Sequence, residues 1–254
     1  DSLMTLSQAS GAGGLAAWTN YLDVEFEQKV NGVDNYVMNT DRFAVYDVNH
    51  AVDDKTNDST KLIRGTLTGF GSAMANDAEG YGEVTMSMYD QWFGYKSLDR
   101  SNGKPFKLIN IIHYDNNMLN AFWDGGVNRM AYGDGDNHYF TYFSRALDVV
   151  GHEISHGFTQ FHAGLIYAGE PGGMNESYSD IVGTAAKYYW SPQTADMKLG
   201  HDLILPAFGR DAFRYMCNPT GDGNSIDNYA SYTPQLDVHY TSGIMNKEIG
   251  RAHV

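Results

Sequence analysis

The sequence of 254 residues has one cysteine, Cys217, so no disulfide can form within it. Basic residues are also scarce, because 17 Lys and Arg stand against 31 Asp and Glu and give a formal charge of -14. This acidity argues against nucleic acid and anionic membrane surfaces as partners, since both are negatively charged. No run of about eighteen apolar residues occurs, so we expect no membrane insertion.

The N-terminus, DSLMTLSQASGAGG, lacks the basic stretch followed by an apolar stretch that marks a secretory signal. Either the protein is intracellular or its targeting segment is absent from this sequence. A single cysteine does not decide between an oxidising and a reducing compartment.

The sequence does contain enough apolar residues to fold: 42% are hydrophobic and 13% aromatic, in a length that suits one large domain or two smaller ones. Short apolar runs between Gly, Asn, Asp and Thr predict strands and turns over residues 1 to about 75. Asn76, with Glu79 three residues later, forms a capping-box pattern that predicts a helix ending near Gly94.

A strand over residues 106–114 and a hairpin over residues 120–136, with its turn at residues 124–126, are predicted next. Beyond residue 145 the apolar spacing becomes helical. The sequence therefore predicts an α+β fold, with a β-rich half over residues 1–145 followed by a mainly α-helical half. No internal repeat or low-complexity tract interrupts either half.

The segment VVGHEISHGFTQ places two histidines and a glutamate on a predicted helix over residues 144–161. Its apolar residues recur at three- and four-residue spacing and predict one core-facing stripe, formed by Leu147, Val150, Ile154, Phe158 and Phe161. His152 and His156 fall on the opposite side, one turn apart, where two imidazoles can share a metal ion. Glu153 can reach a water on that ion, which is the pattern of zinc hydrolases with two histidine ligands and a glutamate base.

The segment GGMNESYSD supplies further candidates on a second predicted helix, which follows a turn at residues 171–173. Glu176 can complete a set of two histidines and one glutamate that leaves a fourth position for water, as catalytic zinc requires. Asp180, one turn later, can accept the outer N–H of a ligand histidine and fix its tautomer. The alternatives are a hydrogen-bonded structural cluster for the histidines and a solvated helix face for the carboxylates.

Together, HEISH, AGLIY (residues 163–167) and NESYSD (residues 175–180) resemble the thermolysin family of zinc endopeptidases, in particular its pseudolysin and vibriolysin branch. The segments NAFWDG, YGDGD, FRYMCNP, SIDNYASY and DVHYTSGIMNK match the family in the same order. The resemblance spans roughly residues 10–247. It implies a β-rich N-terminal lobe and an α-helical C-terminal lobe over residues 146–247, with the HEISH helix at the cleft between them.

The resemblance also implies the metal centre. His152, His156 and Glu176 would hold zinc, and Asp180 would accept the outer N–H of one ligand histidine. Glu153 would polarise the zinc-bound water and then shuttle its proton.

Two further groups are implied on either side of the metal. Tyr167 and His239 would donate hydrogen bonds to the oxyanion of the tetrahedral intermediate, and Asp237 would orient His239. Asn120 and the backbone of Ala121 would bind the peptide main chain as an added strand. The local sequence leaves open a core role for Tyr167 and an ordinary strand histidine at His239.

Substrate recognition is implied by a third group. Arg214 would grip a substrate carbonyl, although the local sequence equally allows a surface ion pair. Phe140, Phe143, Val149 and Phe213 would line the site for the side chain just after the cleaved bond. These four residues are apolar, so the resemblance implies cleavage before Leu, Ile, Val or Phe.

Two departures from the family pattern concern calcium and cysteine. Related enzymes bind structural calcium through acidic residues at the positions of Thr184 and Lys187, together with the counterpart of Asp148. Asp148 and Asp196 remain here, and the Lys187 ammonium could replace the cation. Calcium therefore stays possible, for instance at the loop of residues 134–136, but its usual site is degraded. The early disulfide of the pseudolysin branch is absent.

The sequence thus predicts a secreted, monomeric, zinc-dependent endopeptidase that acts on peptides or proteins, with its extracellular location inferred from the resemblance. Glu153 and His239 argue against a non-catalytic zinc-binding module of the same fold. The edge strand NAFW argues against an intracellular metal hydrolase acting on small molecules, because such a strand suits a long peptide.

The last seven residues, EIGRAHV at 248–254, are expected to be a non-native tail that resembles the translation of a sequencing adapter. Gly250 should interrupt the helix that the family continues at this point. We expect these residues to make few core contacts, and the C-terminal lobe to be incomplete and to expose apolar helix faces.

Overall fold

The computed structural model describes residues 2–8, 18–52, 56–66, 69–99 and 106–253, and the side chains of these residues except those of 2–8, 18–21 and 253. Val254, the last residue of the expected tail, lies outside the described residues.

The strands and helices follow one another in the order expected of a β-rich and then a helical half. The strands are β1 (Ser2–Gln8), β2 (Trp18–Val30), β3 (Val33–Val37), β4 (Phe43–Asp47), β5 (Arg64–Thr66), β6 (Leu108–Ile112), β7 (Ala121–Asp124), β8 (Arg129–Tyr132), β9 (Lys198–Leu199) and β10 (Arg214–Tyr215). The α-helices are α1 (Ala73–Phe93), α2 (Leu147–Phe161), α3 (Gly169–Trp190), α4 (Val238–Thr241) and α5 (Gly243–His253). Among the described helices, none has the length and apolar character needed to cross a bilayer.

The first sheet is antiparallel and has the order β1-β2-β3-β5. Asn31 and Gly32 connect β2 to β3, with φ angles of 50° and 82°. Both residues need a positive φ in the two-residue turn that best matches the twist of paired strands, and the Asn-Gly pair meets this need at low cost. The short apolar runs of this region thus form strands, as predicted.

The second sheet has the order β4-β6-β8-β7, in which β4, β6 and β8 are parallel and β7 runs antiparallel at the edge. The predicted hairpin is confirmed, because Ala121 pairs with Tyr132 and Asp124 pairs with Arg129. Its turn occupies residues 125–128 rather than 124–126. The edge position of β7 leaves one side of this strand without a strand partner within the described residues.

Helix α1 packs on the second sheet, and the main core lies between this sheet, α1 and α2. The predicted N-cap at Asn76 is wrong. Ser72 caps the helix by accepting a hydrogen bond from the backbone N–H of Ala75, so Asn76 and Glu79 lie buried inside the helix. The residues after Ser72 are good helix formers, which lets the helix start one turn earlier. Its predicted end at Gly94 is confirmed, with a left-handed φ of 75°.

Helix α2 carries the predicted apolar stripe, of which the first four members are buried and Phe161 is half-buried. It begins at Leu147, after a 3-10 turn at Phe143–Arg145, rather than at residue 144. Helix α3 begins at Gly169, so the predicted turn at residues 171–173 in fact lies within its first turn. Proline is tolerated there because the first N–H groups of a helix have no partner within the helix.

Helix α5 contradicts one expectation about the C-terminal residues. Gly250 does not interrupt it, since the backbone stays helical to His253. Gly250 is buried, and a Cβ atom there would lie 2.4 Å from the carbonyl oxygen of Met216. Glu248, Ile249 and Arg251 are exposed, as expected.

Helices α2 and α3 approach each other unusually closely, through two glycines. A Cβ atom on Gly151 would lie 3.1 Å from the Cα atom of Gly183. A Cβ atom on Gly183 would lie 2.2 Å from the carbonyl oxygen of Asp148 and 3.2 Å from the backbone nitrogen of His152. Only glycine at residue 183 therefore permits this separation of the two helices.

The variant Gly183→Ala should destabilise the protein, because its methyl group meets backbone that cannot rotate away. We expect a loss of about 1–3 kcal/mol in the free energy of unfolding, even though alanine is the better helix former. The control is Gly82→Ala in α1, whose methyl group meets the end of the Leu108 side chain at 3.1 Å. Urea denaturation should show a lower midpoint for Gly183→Ala alone, and equal midpoints would contradict the role of this contact.

Candidate active site

Three side chains from α2 and α3 converge on one point. The Nε2 atoms of His152 and His156 are 3.0 Å apart. One carboxylate oxygen of Glu176 lies 3.2 Å from Nε2 of His156, and the other lies 3.4 Å from Nε2 of His152. Ligands of a tetrahedral zinc ion with bonds of about 2.0–2.1 Å are separated by about 3.3 Å. The three predicted ligands are thus brought together at the spacing of a metal centre.

The outer ring nitrogens of both histidines have polar partners. Nδ1 of His152 lies 2.8 Å from the carboxylate of Asp180. Nδ1 of His156 lies 2.8 Å from the side-chain oxygen of Asn175. A proton on each outer nitrogen would leave the Nε2 lone pairs facing the shared point. Asn175 is a partner that the sequence reasoning missed, although it stands next to Glu176 in the quoted motif.

Glu176 is fully buried, and one of its carboxylate oxygens has no hydrogen-bond donor among the described residues. Burial alone would raise the pKa of Glu176, but the charge of protonated His152 and a hydrogen bond from protonated His156 outweigh it and hold the pKa well below its usual range. A buried carboxylate needs positive charge beside it, which these protons supply and which a metal ion would supply in their place. The donor set therefore fits a zinc ion, and its oxygen and nitrogen atoms match the ligands that zinc prefers.

Arg214 lies behind the metal centre. Its guanidinium donates two hydrogen bonds to Asp180, at 2.6 and 2.7 Å, and lies 3.7 Å from Glu176. Burial opposes ionisation of Asp180, but the charge of Arg214 lowers the pKa of Asp180 to about 2. Arg214 also lines the cleft, so the same side chain can hold Asp180 and contact a substrate.

Glu153 is not placed as a ligand. Its Oε2 atom lies 4.0 Å from Nε2 of His156 and accepts a hydrogen bond of 3.3 Å from the backbone N–H of Trp123. The side chain therefore sits beside the metal position, between α2 and the edge strand β7. This is the position expected of a base that acts on a water.

Tyr167 and His239 approach the cluster of His152, His156 and Glu176 through contacts with Glu176. The Tyr167 hydroxyl donates to Glu176 and lies 3.3 Å from Nε2 of His239. His239 follows Asp237, which caps the short helix α4 and accepts hydrogen bonds from both the backbone N–H and Nδ1 of His239, at 2.9 and 2.6 Å. The Nε2 atom of His239 is thereby aimed at the cleft.

Two cavities meet at the metal centre, and Asn120, Glu153 and His239 line both. The larger, of about 520 Å³, extends along β7 past Ala121. The smaller, of about 260 Å³, extends away from β7 toward Arg214. The HEISH helix thus lies at the cleft, and the cleft has room for a substrate on both sides of Glu153.

The smaller cavity has both apolar and charged residues in its lining. Phe143, Val149 and Phe213 line it, as predicted. Phe140 does not line this cavity. Its ring packs against two residues that do, with its centroid 5.9 Å from that of Phe143 and 5.4 Å from that of Phe213. Sequence reasoning missed five other lining residues, which are Leu119, Leu199, Arg210, Asp222 and Tyr240.

Lys187 occupies the place of the expected calcium site. Its ammonium lies 3.0 Å from Asp148 and 2.6 Å from Asp196, and it donates a further hydrogen bond of 2.7 Å to the backbone carbonyl of Lys198. Burial would lower the pKa of Lys187, but the two carboxylates outweigh burial and raise it. The side chain of Asp148 is only 1% exposed, and it also accepts a hydrogen bond of 3.0 Å from the backbone N–H of Gly200.

The alternative calcium position, in the loop of residues 134–136, already has partners of its own. The Asp136 carboxylate accepts three backbone N–H groups, from His138, Tyr139 and Phe140. The Asp134 carboxylate lies 2.8 Å from Nδ1 of His113.

Comparison with protein-family models shows the family of this chain. The model of the thermolysin metallopeptidase catalytic domain matches residues 15–160. The model of the thermolysin metallopeptidase α-helical domain matches residues 163–249. The chain belongs to the thermolysin family of metallopeptidases. The predicted resemblance and the α+β fold class are therefore confirmed.

Individual members of the thermolysin family agree. A zinc metalloproteinase of Legionella pneumophila is 45% identical over 171 residues, which are 67% of this chain and 31% of the relative. Thermolysin of Alicyclobacillus acidocaldarius is 40% identical over 179 residues, which are 69% of this chain and 32% of the relative. The chain thus spans about a third of the length of these curated relatives.

A solved structure shows the same fold. The precursor of protealysin, a metalloproteinase from Serratia proteamaculans, matches with a TM-score of 0.70 and 29% sequence identity. The match covers 89% of this chain and 69% of protealysin.

The variant Lys187→Met should lower stability strongly, because it leaves the buried carboxylate of Asp148 without its cation. Removing one partner of a buried ion pair costs about 3–5 kcal/mol. The control is Lys198→Met, whose ion pair with Asp211 is exposed and should contribute about 0–1 kcal/mol. Chemical denaturation of both variants measures the difference, and similar losses would contradict the role of Lys187.

The wild-type Tm should change little with millimolar calcium, because an ion that does not bind the folded state cannot stabilise it. A thermal melt with calcium and one with a calcium chelator give the comparison. A large rise in Tm with calcium would show that a cation binds despite Lys187.

Proposed function

We propose that this chain forms the catalytic part of a secreted zinc endopeptidase that cleaves peptide bonds before hydrophobic residues. The observation that carries the proposal is the junction of the two cavities, where Glu153 and His239 flank a buried set of His152, His156 and Glu176. A structural cluster would need neither a cleft on both sides nor a base beside it. Secretion and a monomeric state are proposed from the family resemblance.

Zinc held by His152, His156 and Glu176 would supply a Lewis acid for the peptide carbonyl and lower the pKa of the attacking water. The Glu153 carboxylate would take a proton from a water whose oxygen bonds to the carbonyl carbon. Glu153 would then pass this proton to the amide nitrogen as the C–N bond breaks. The products are a carboxylic acid and an amine, which ionise to a carboxylate and an ammonium group.

Tyr167 and His239 stabilise the charge that develops on the carbonyl oxygen. The Tyr167 hydroxyl and Nε2 of His239 are 3.3 Å apart and face the same point beside Glu176. Two donors fixed in this way stabilise an oxyanion more than they stabilise the neutral carbonyl, which lowers the barrier. Asp237 holds the His239 ring in place through Nδ1.

The substrate backbone lies along the edge strand β7. Asn120 and Ala121 line the larger cavity, where an extended peptide can pair with the side of β7 that has no strand partner within the described residues. Arg214 lines the smaller cavity, where its guanidinium would bind a substrate carbonyl while it holds Asp180.

The variant Glu153→Gln should keep its zinc but lose activity, because Glu153 removes a proton and is not a ligand. A positioned base contributes about 10²–10⁴-fold to the rate, so kcat should fall by at least this factor. Zinc content and hydrolysis of a quenched fluorescent peptide, measured on the same samples, separate binding from catalysis. The control is Glu170→Gln, an exposed glutamate on the same lobe.

Loss of zinc from Glu153→Gln, or near-normal turnover, would contradict the role of this residue. A wild-type chain that binds zinc but shows no chelator-sensitive hydrolysis would instead support a non-catalytic module.

Cleavage of a peptide library should precede Leu, Ile, Val or Phe, because Phe143, Val149 and Phe213 form an apolar pocket. The variant Phe213→Leu should shift the preference toward the larger of these side chains, because it removes ring volume from the wall. Mass spectrometry of the products gives the profile. Acidic or basic residues at this position in the wild-type profile would contradict the assignment of the pocket.

A further inference from the structure

We propose a second metal site, for a transition-metal ion of the zinc class, formed by His50, His113 and Asp134 in the N-terminal lobe. These residues share no member with the active site. Their potential ligand atoms all lie within 4.8 Å of one another.

The topology of the second sheet brings the three residues together. Strands β4, β6 and β8 are parallel neighbours, so their carboxyl ends meet at one edge of the sheet. His50, His113 and Asp134 each follow the end of one of these strands by one to three residues. In open sheets with parallel strands, ligands bind preferentially outside such carboxyl ends.

The atoms are spaced for one ion. Nδ1 of His113 lies 2.8 Å from Asp134, and Nδ1 of His50 lies 3.8 Å from the other oxygen of the same carboxylate. The backbone carbonyl of Asp115 lies 3.1 Å from Nδ1 of His50 and could provide a fourth donor. These separations bracket the spacing of about 3.3 Å between ligands of tetrahedral zinc.

The backbone already holds the two histidines in place. The N–H of His50 donates to the carbonyl of His113 at 2.7 Å. Both residues have left-handed φ angles, 66° and 53°, that residues other than glycine adopt infrequently. The two ring centroids are 5.8 Å apart with the planes at 62°, so the rings meet edge to face and do not stack.

The chemistry of the ligands selects the class of metal. Two imidazoles and one carboxylate suit Zn²⁺, Co²⁺, Ni²⁺ or Cu²⁺, whereas Ca²⁺ requires six to eight oxygen ligands. The three side chains are 31–39% exposed, so an ion can enter from solvent while the site remains partly enclosed.

A bound ion would join the ends of three strands that are far apart in the sequence. It would also stabilise the segment that leads into β7, because the backbone N–H groups of Gly133 and Gly135, on either side of Asp134, donate hydrogen bonds to that segment. Gly133 N–H donates to the Asn120 carbonyl at 3.0 Å, and Gly135 N–H donates to the Met118 carbonyl at 3.3 Å. The second ion thus has a structural role next to the peptide-binding edge.

Metal content tests the proposal independently of catalysis. The wild-type chain, equilibrated with Zn²⁺ and separated from free ion, should carry a second equivalent of zinc beyond the one at His152. His50→Asn, His113→Asn and Asp134→Asn should each lose one equivalent. Asparagine tolerates the left-handed backbone at both histidine positions, so these variants should fold. The control is His138→Asn, an exposed histidine outside the cluster, which should bind as much zinc as wild type.

The variant His152→Ala identifies which equivalent belongs to which site, because it should keep the second equivalent while losing the first. Thermal melts provide a second readout: added Zn²⁺ should raise the Tm of His152→Ala but not that of a variant that also carries His113→Asn. Equal zinc content in wild type and the three cluster variants, at any level, would overturn the proposal. It would leave a hydrogen-bonded pair of His113 and Asp134 that binds no metal.

Discussion

The close contact of α2 with α3 determines most of the geometry on which the function depends. The contact is possible because Gly183 lies against the carbonyl of Asp148 and the backbone nitrogen of His152. At this separation, side chains as short as Glu176 and Asp180 reach both ring nitrogens of His152 from the facing helix. A wider separation would require longer side chains, which are harder to fix in one rotamer.

The sequence predicts the parts of the site that local spacing controls. His152 and His156 lie one turn apart on any helix, so their shared face follows from periodicity alone. The hairpin of β7 and β8 can be predicted in the same way, from its alternating apolar residues and from the turn residues between the two strands. The resemblance to a family supplies the rest, because nothing local connects Tyr167 or His239 to the metal centre.

The errors of the sequence predictions come from packing, which local patterns do not encode. Asn76 has the right neighbours for an N-cap, but Ser72 is followed by residues that favour the helix and therefore caps it first. Phe140 has the right chemistry for a pocket wall, but its ring packs against Phe143 and Phe213 and does not line the cavity. Gly250 has a low helix propensity, but the surface of Met216 leaves no room for a side chain there.

Charge balance explains why the interface of α2 and α3 needs more than one cation. It buries three carboxylates, those of Asp148, Glu176 and Asp180, each at most 1% exposed. Lys187 neutralises the first and Arg214 the third, and both cations are covalently fixed side chains. The Arg214 guanidinium lies 3.7 Å from Glu176, which is too far for a hydrogen bond. One Glu176 oxygen has no donor among the described residues. Side-chain cations therefore neutralise Asp148 and Asp180, whose role is structural. Glu176 lies beside the cleft, where an exchangeable metal ion can contact water and substrate.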